Sequence, residues 1–307
     1  MEPASELTPK LRAFVEFVAK KGRELYRDLP WRRTYDPYAI WISEVMLQQT
    51  QVSRVDGRWQ RWLERFPTVD ALAAAAPSDV LEEWQGLGYN RRALSVHRAA
   101  QAISEAGGVF PQDSKELVKL PGIGPATAAG IRAFAFNLHG VYLETNVRTV
   151  FLHELYPQAE GVPDSELVPL VELTCPASVA DAVNVADADS TANDATAELT
   201  PRSWYYALLD YGAYLKKTIP NPSRRSKSHV KQSRFEGSHR QKRAELLRVL
   251  LAHKDEGGAV FETLHQELCQ IEVNAGRETL DEQVTLGLLE ELAKEGFCQK
   301  NDEYWMP

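Results

Sequence analysis

The sequence predicts a mainly α protein that ends in a small winged-helix-like domain. Three observations carry that prediction. Apolar residues recur at helical spacing through the first 220 residues, strand patterns are scarce there, and the last twelve residues read as two short strands around a turn. At 307 residues the chain has room for about two ordinary domains.

The elements follow in order. Leu11, Phe14, Val15, Val18 and Leu25 predict a helix over 8–27. Pro30 and Pro37 bracket a loop, LPWRRTYD, and a helical stretch then runs from about Tyr38 to Phe66 as one helix or two. Pro67, Pro77, Gly86-Leu87-Gly88, Gly107-Gly108 and Pro111 punctuate several short helices after it. Residues of about 177–199 are mostly Ala, Asp, Asn, Ser and Thr with no aromatic ring, a composition expected to be a disordered insertion. Helical pattern resumes at Trp204 and stops at a basic linker, 220–239. Beyond it, Leu246, Leu247, Leu250 and Leu251, then Phe261–Leu268, then Val284–Leu292 fit three helices, and strands flank Asn301-Asp302. Helix, helix, helix, hairpin is the order of a winged helix; a helical appendage with no nucleic-acid role has the same pattern. The expected division is 1–219, the linker, and 240–307.

Apolar residues at 44% and charged residues at 25% describe a soluble globular protein. No apolar run approaches the roughly 20 residues of a membrane span, and MEPASELTPK lacks the layout of a signal peptide. The expected location is cytoplasmic, with the bacterial nucleoid, as a monomer. Cys175, Cys269 and Cys298 stand too far apart for a disulfide framework or a metal-ligand spacing, so no metal is expected. Net charge is -8, yet its distribution is uneven. Glu160–Glu198 holds nine acids and no Lys or Arg, whereas Lys216–Arg243 holds ten Lys/Arg and one acid. The local field of such a stripe, not the total, steers a polyanion.

Three segments carry chemistry. In LPGIGPATAAGI (120–131), Gly122 and Gly124 precede a small-residue helix and can take positive φ, as in a helix-hairpin-helix turn whose backbone N–H groups meet a phosphate. A plain turn is the simpler reading of two glycines alone. In WISEVMLQQT, a helix puts Glu44 on one face with Ile40, Trp41, Leu47 and Gln48. A carboxyl among apolar neighbours has a raised pKa and can serve as a general acid; on a surface helix it would be only a solvated Glu. In LETNVRTV, Glu144 or Thr145 can act as an N-cap, or Glu144 can be a second carboxylate opposing Glu44. Paired carboxylates are the usual equipment for cleaving a glycosidic bond.

Together these segments resemble the adenine DNA glycosylases of the MutY type, over about residues 28–155. The segment Ser43–Val52 stands unbroken as the family has it. The resemblance implies a helix-hairpin-helix DNA glycosylase fold of two helical lobes acting on double-stranded DNA with a mismatched or damaged base. It implies Glu44 as the acid that protonates a flipped adenine, opposite G or 8-oxoguanine, with Glu144 and Asn146 steadying the sugar cation. It places Gln48, Gln49 and Thr50 at the DNA, Gln49 as the wedge, and Trp31 and Arg32 beside the base pocket. Tyr89 and Arg148 join the same DNA-facing set.

The departures are specific. Glu144 and Thr145 stand where the family usually has Asp-Gly, and Asn90 replaces a second tyrosine after Tyr89. No cysteine follows Tyr214 where the family's iron–sulfur loop belongs, so no cofactor is expected; no Nudix-like domain is recognisable either. Lys216, Lys217, Arg224, Arg225, Lys227, Lys231 and Arg234 are expected to track phosphates in that loop's place. Related bifunctional enzymes carry a Schiff-base lysine where this chain has Ala126, which implies a monofunctional enzyme. Two alternatives stay open: a glycosylase of the same fold for uracil, hypoxanthine or an alkylated base, and a non-catalytic DNA-binding protein.

Overall fold

Thr8 opens the first helix: its hydroxyl accepts from the Leu11 N–H at 3.3 Å, and Pro9, which lacks the donor the first turn would waste, follows it. The computed structural model describes residues 7–178, 198–229 and 234–307. Of the insertion expected at 177–199, residues 179–197 lie outside the described ones, as does Lys231.

After α1 (Pro9–Glu24) comes a 3-10 turn at Pro30–Arg33, then α2 (Pro37–Leu47), α3 (Val52–Val55), α4 (Arg58–Arg65), α5 (Val69–Ala74) and α6 (Pro77–Trp84). The stretch expected as one helix or two is therefore three. Gln49 at φ 55 ends the first piece and Gly57 at φ 78 separates the others. Next come α7 (Arg91–Glu105), α8 (Ser114–Leu117), α9 (Pro125–Phe136), α10 (Thr145–Glu154), α11 (Asp164–Thr174) and α12 (Pro201–Thr218). The C-terminal elements are α13 (His239–Ala252), β1 (Ala259–Val260), α14 (Phe261–Asn274), α15 (Glu282–Glu295), β2 (Gln299–Asn301) and β3 (Tyr304–Met306). Among the described residues, no helix is long and apolar enough to cross a membrane.

These elements form two compact units, each from two stretches of chain: Met1–Val45 with Phe110–Lys231, and Met46–Val109 with Gln232–Pro307. That division cuts across the expected boundaries at 219 and 239, because residues 46–109 group with the C-terminal elements.

In the first unit α12 is the central post, packed against α1, α9 and α10. Trp204, Tyr205, Leu208, Tyr211 and Leu215 are buried along it, and the core continues through Phe14, Phe134, Val147 and Phe151. Close approach needs small residues. A Cβ at Gly22 would overlap Ala207, and one at Gly212 would overlap the Asn146 carbonyl. Buried charge here is met by an opposite charge or by carbonyls. Arg32 grips Asp210 through two bonds of 2.7 and 2.8 Å, and Arg202 donates to the Arg32 and Thr34 carbonyls at 2.6 and 2.9 Å.

The second unit has Trp62, Phe66 and Trp84 at the centre of its first stretch, with Trp62 edge-on to the other two rings. Leu246, Leu250, Leu264, Leu268 and Leu289 fill the second stretch. The expected helix, helix, helix, hairpin order is present, with β1 added between the first two helices. The sheet runs β1-β3-β2, all antiparallel, with Trp305 opposite both Ala259 and Lys300.

Candidate active site

Asp36 starts α2 by accepting from the Tyr38 and Ala39 N–H groups at 3.0 and 3.2 Å. Tyr38, Ala39, Ile40, Trp41, Ile42 and Val45 are all buried, so α2 is enclosed on most sides. Glu44 is its one ionisable carboxyl, and it is half-buried. What makes room for it is α9. A Cβ at Gly130 would collide with the Glu44 carboxylate and come within 3.0 Å of the Tyr142 ring. Tyr142 in turn donates its hydroxyl hydrogen to Glu44 Oε2 at 2.9 Å. The Tyr142 ring is buried edge-on to Phe134 and Tyr205, each 5.3 Å away between centroids.

Burial is the main force on Glu44 and raises its pKa from 4.5 to about 7. The Tyr142 hydrogen bond opposes that rise, the nearby Glu144 charge adds to it, and Arg32 lowers it slightly. Glu144 sits differently. Its Oε1 accepts from the backbone N–H of Asn146 at 2.6 Å and of Val147 at 3.1 Å, capping α10. Oε2 has no hydrogen-bond partner among the described residues. Burial leaves the Glu144 pKa raised as well, although the two N–H groups and the Lys216 and Arg148 charges oppose the rise. The cap and the second-carboxylate readings thus use different oxygens of one side chain. Two acids with unlike surroundings, one met by a tyrosine hydroxyl and one by two backbone N–H groups, can divide acid and charge-stabilising roles.

Asn146 adjoins this pair and accepts from Lys216 Nζ at 3.1 Å. Trp31 is buried. Three expected contact residues are engaged elsewhere. Arg32 is 3% exposed and committed to Asp210, so it reaches Glu44 through its field alone. Arg148 forms a two-bond pair with Asp164 at 2.9 and 2.8 Å. Arg225 donates to the Tyr156 and Leu152 carbonyls at the end of α10, the latter at 2.8 Å, because those carbonyls lack helical partners. Arg224 and Lys227 are exposed, as are Lys216, Lys217 and Arg234. Residues 220–229 of the linker belong to the first unit, where Ser226 pairs with Val162 in a parallel bridge.

The 120–131 turn has Gly122 at φ 75 as expected. Gly124 does not share it: at φ -85, ψ 174 it is an extended N-cap, the conformation that lets Pro125 start α9. Both glycines and Ala126 are exposed. In the second unit, Gln49 and Tyr89 are exposed and left-handed, at φ 55 and 51. Arg92 stitches their segments together, donating to the Gln48 carbonyl at 2.7 Å, Gly88 carbonyl at 2.9 Å and Thr50 Oγ1 at 3.2 Å.

Tyr142, Gly130 and Arg92 escaped the sequence reading. Tyr142 lies two residues before Glu144, and Gly130 interrupts an alanine run, but nothing local ties either to a carboxylate about ninety residues earlier. The chain has three cysteines, one fewer than a four-thiolate cluster takes. Burial pushes the Cys298 thiol up to about 12 and raises Cys175 as well. Among the described residues no three His, Cys, Asp or Glu side chains gather as a metal site.

Residues 42–201 match the family described as "HhH-GPD superfamily base excision DNA repair protein". The chain is 35% identical over 235 residues to the adenine DNA glycosylase of Mycolicibacterium smegmatis, covering 73% of this chain and 75% of that one. It is 36% identical over 235 residues to the adenine DNA glycosylase of Mycobacterium tuberculosis, covering 74% and 75%. A thermostable thymine-DNA glycosylase structure superposes with a TM-score of 0.55 at 21% identity, covering 69% of this chain and 90% of that one.

Proposed function

The chain belongs to the HhH-GPD superfamily of base excision DNA repair proteins, and from that premise we propose that it is a monofunctional adenine DNA N-glycosylase, a hydrolase of N-glycosyl bonds. The observation that carries the proposal is Glu44, a carboxyl held near pKa 7 in a niche made by Gly130 and Tyr142, beside a second carboxylate that caps a helix.

The chemistry follows from those environments. Protonated Glu44 delivers its proton to a ring nitrogen of an extruded adenine. The C1′–N9 electron pair then leaves with the purine, and the sugar becomes an oxocarbenium-like cation. The Glu144 anion, held by two N–H groups, stabilises that cation. Water adds to C1′ and returns a proton to Glu44, giving free adenine and an abasic sugar. Ala126 offers no amine for a Schiff base, so the strand stays intact until alkali or heat cleaves it. The enzyme works on duplex DNA as a monomer, without an iron–sulfur cluster, on adenine opposite G or 8-oxoguanine. Its place is the bacterial cytoplasm, at the nucleoid.

A gel assay on duplexes carrying single A·8-oxoG, A·G, A·C, uracil and hypoxanthine sites, with alkali after incubation, tests this reading. Breaks at adenine that require alkali are expected. Excision confined to uracil or hypoxanthine assigns the same acid to another base, and a borohydride-trapped adduct overturns the monofunctional mechanism.

A further inference from the structure

The turn at 85–90, in the second unit, holds Tyr89 in the left-handed region. Gly86, Gly88 and Tyr89 all have positive φ, at 82, 76 and 51. From within, Arg54 donates to the Gly86 carbonyl, Arg58 to the Gln85 carbonyl, and Trp84 Nε1 to the Gly88 carbonyl at 3.1 Å. The C-terminal elements, in the same unit, grip both helices that flank this turn. On the α6 side, Lys254 binds Asp79 at 2.9 Å and Glu82 at 2.8 Å, and Arg65 joins the same two carboxylates at 3.0 and 3.2 Å. On the α7 side, Glu295 at the end of α15 holds Arg91 through bonds of 2.7 and 2.6 Å while Arg243 of α13 binds it at 2.7 Å. Arg91 is the first residue of α7, two positions after Tyr89.

Charge argues against these elements reading DNA themselves. Residues 240–307 hold eight Lys/Arg and fourteen Asp/Glu, a net of -6. The exposed side of α15 presents Glu282, Glu290 and Glu291 with Val284 and Leu286 against one cation, Lys294, a surface that on balance repels phosphate. We infer that the C-terminal elements are a brace. Glu295 is a positioning residue that, through Arg91, fixes the 85–90 turn in the conformation that meets the duplex. The inference rests on the proposed DNA glycosylase reading for what the turn engages, but the brace itself is a property of the second unit.

Glu295→Gln tests it, because the brace and a DNA-facing role predict opposite signs. Removing an acid from a surface near DNA relieves repulsion and tightens binding. Loosening the turn weakens binding. The expected result is a duplex Kd raised about three- to five-fold, the scale of a partly exposed ion pair. Single-turnover excision at saturating enzyme stays unchanged, and hydrogen exchange of the amides at 86–92 is faster by a similar factor. Tighter binding, or exchange identical to the parent's, overturns the brace. Should Glu295→Gln not fold, Lys254→Gln loosens the α6 side and is read by exchange at 86–92 alone, because losing a cation weakens binding under either role. A parent protein that binds no duplex sinks the glycosylase reading instead, and exchange at 86–92 still decides the brace.

Discussion

The proton on Glu44 is the quantity on which the proposed chemistry turns, and the residues around it give it a signed pH dependence. Glu44 is protonated below about pH 7, so single-turnover excision is expected to fall about tenfold per pH unit above that point. The Tyr142 bond stabilises the anion and lowers the pKa, so Tyr142→Phe is expected to move the falling limb to higher pH. A limb that stays in place, or moves lower, removes Tyr142 from the site. Glu44→Gln should abolish excision and leave duplex binding within a few-fold. The same substitution has a stability signature. A folded-state pKa above the unfolded one means the native protein binds the extra proton between pH 4.5 and about 7, and loses stability as pH rises through that window. Gln has no such loss, so its advantage over Glu should grow from pH 5 to pH 8 by on the order of 2 kcal/mol. Glu144 separates differently. Glu144→Gln keeps an oxygen for the α10 cap but not the charge, and is expected to slow excision about 10²-fold with little change in Tm. Glu144→Ala should lose the cap as well, at about 1 kcal/mol. Equal Tm for the two variants would show that the cap contributes nothing.

At the scale of elements, α9 is built to be approached. Gly130→Ala places a methyl where the Glu44 carboxylate sits, between it and Tyr142. Excision should fall about 10²-fold from the displaced acid, with about 1–3 kcal/mol lost to overpacking. Excision kept at half the parent rate means the carboxylate moves aside freely. This niche also marks the limit of what sequence carries. Glu44, Glu144 and the 120–131 turn were legible because motif and local period coincide in short segments. The turn at Asn301-Asp302 was legible from turn chemistry, whereas the capping roles of Thr8 and Asp36 emerged only in the structure. Gly130 and Tyr142 owe their roles to a partner 86 and 98 residues away, which no local pattern encodes. The two-residue β1 exists only because Trp305 and Tyr304 pair with it. Arg32, Arg148 and Arg225 read as DNA contacts by type, and are spent on Asp210, Asp164 and the carbonyls of α10.

Over the whole molecule, charge is segregated along the chain, and the duplex should report it. Arg224 and Lys227 are exposed on the stretch that follows α12, whereas Arg225 is engaged. Replacing Arg224 and Lys227 together by Ala should flatten the slope of log K against log salt by up to ~1.8 units and weaken all duplexes alike. Arg225→Ala should act instead through stability, by uncapping α10. A double variant with the parent's salt slope would show that the stripe is solvated in the complex.

The assembly of the second unit from two distant stretches has a consequence in time. Its first stretch ends at Val109 and its second begins at Gln232. At a synthesis rate of about 5–20 residues per second, roughly 6–25 s pass on the ribosome between the two. For that interval α6 and α7 lack α13 and α15, and Asp79, Glu82 and Arg91 lack Lys254 and Glu295. The first unit, complete by Lys231, is finished before the second can close. Translation order therefore makes the acid niche of Glu44 the earlier product, and the held turn of Tyr89 the last part of the protein to mature.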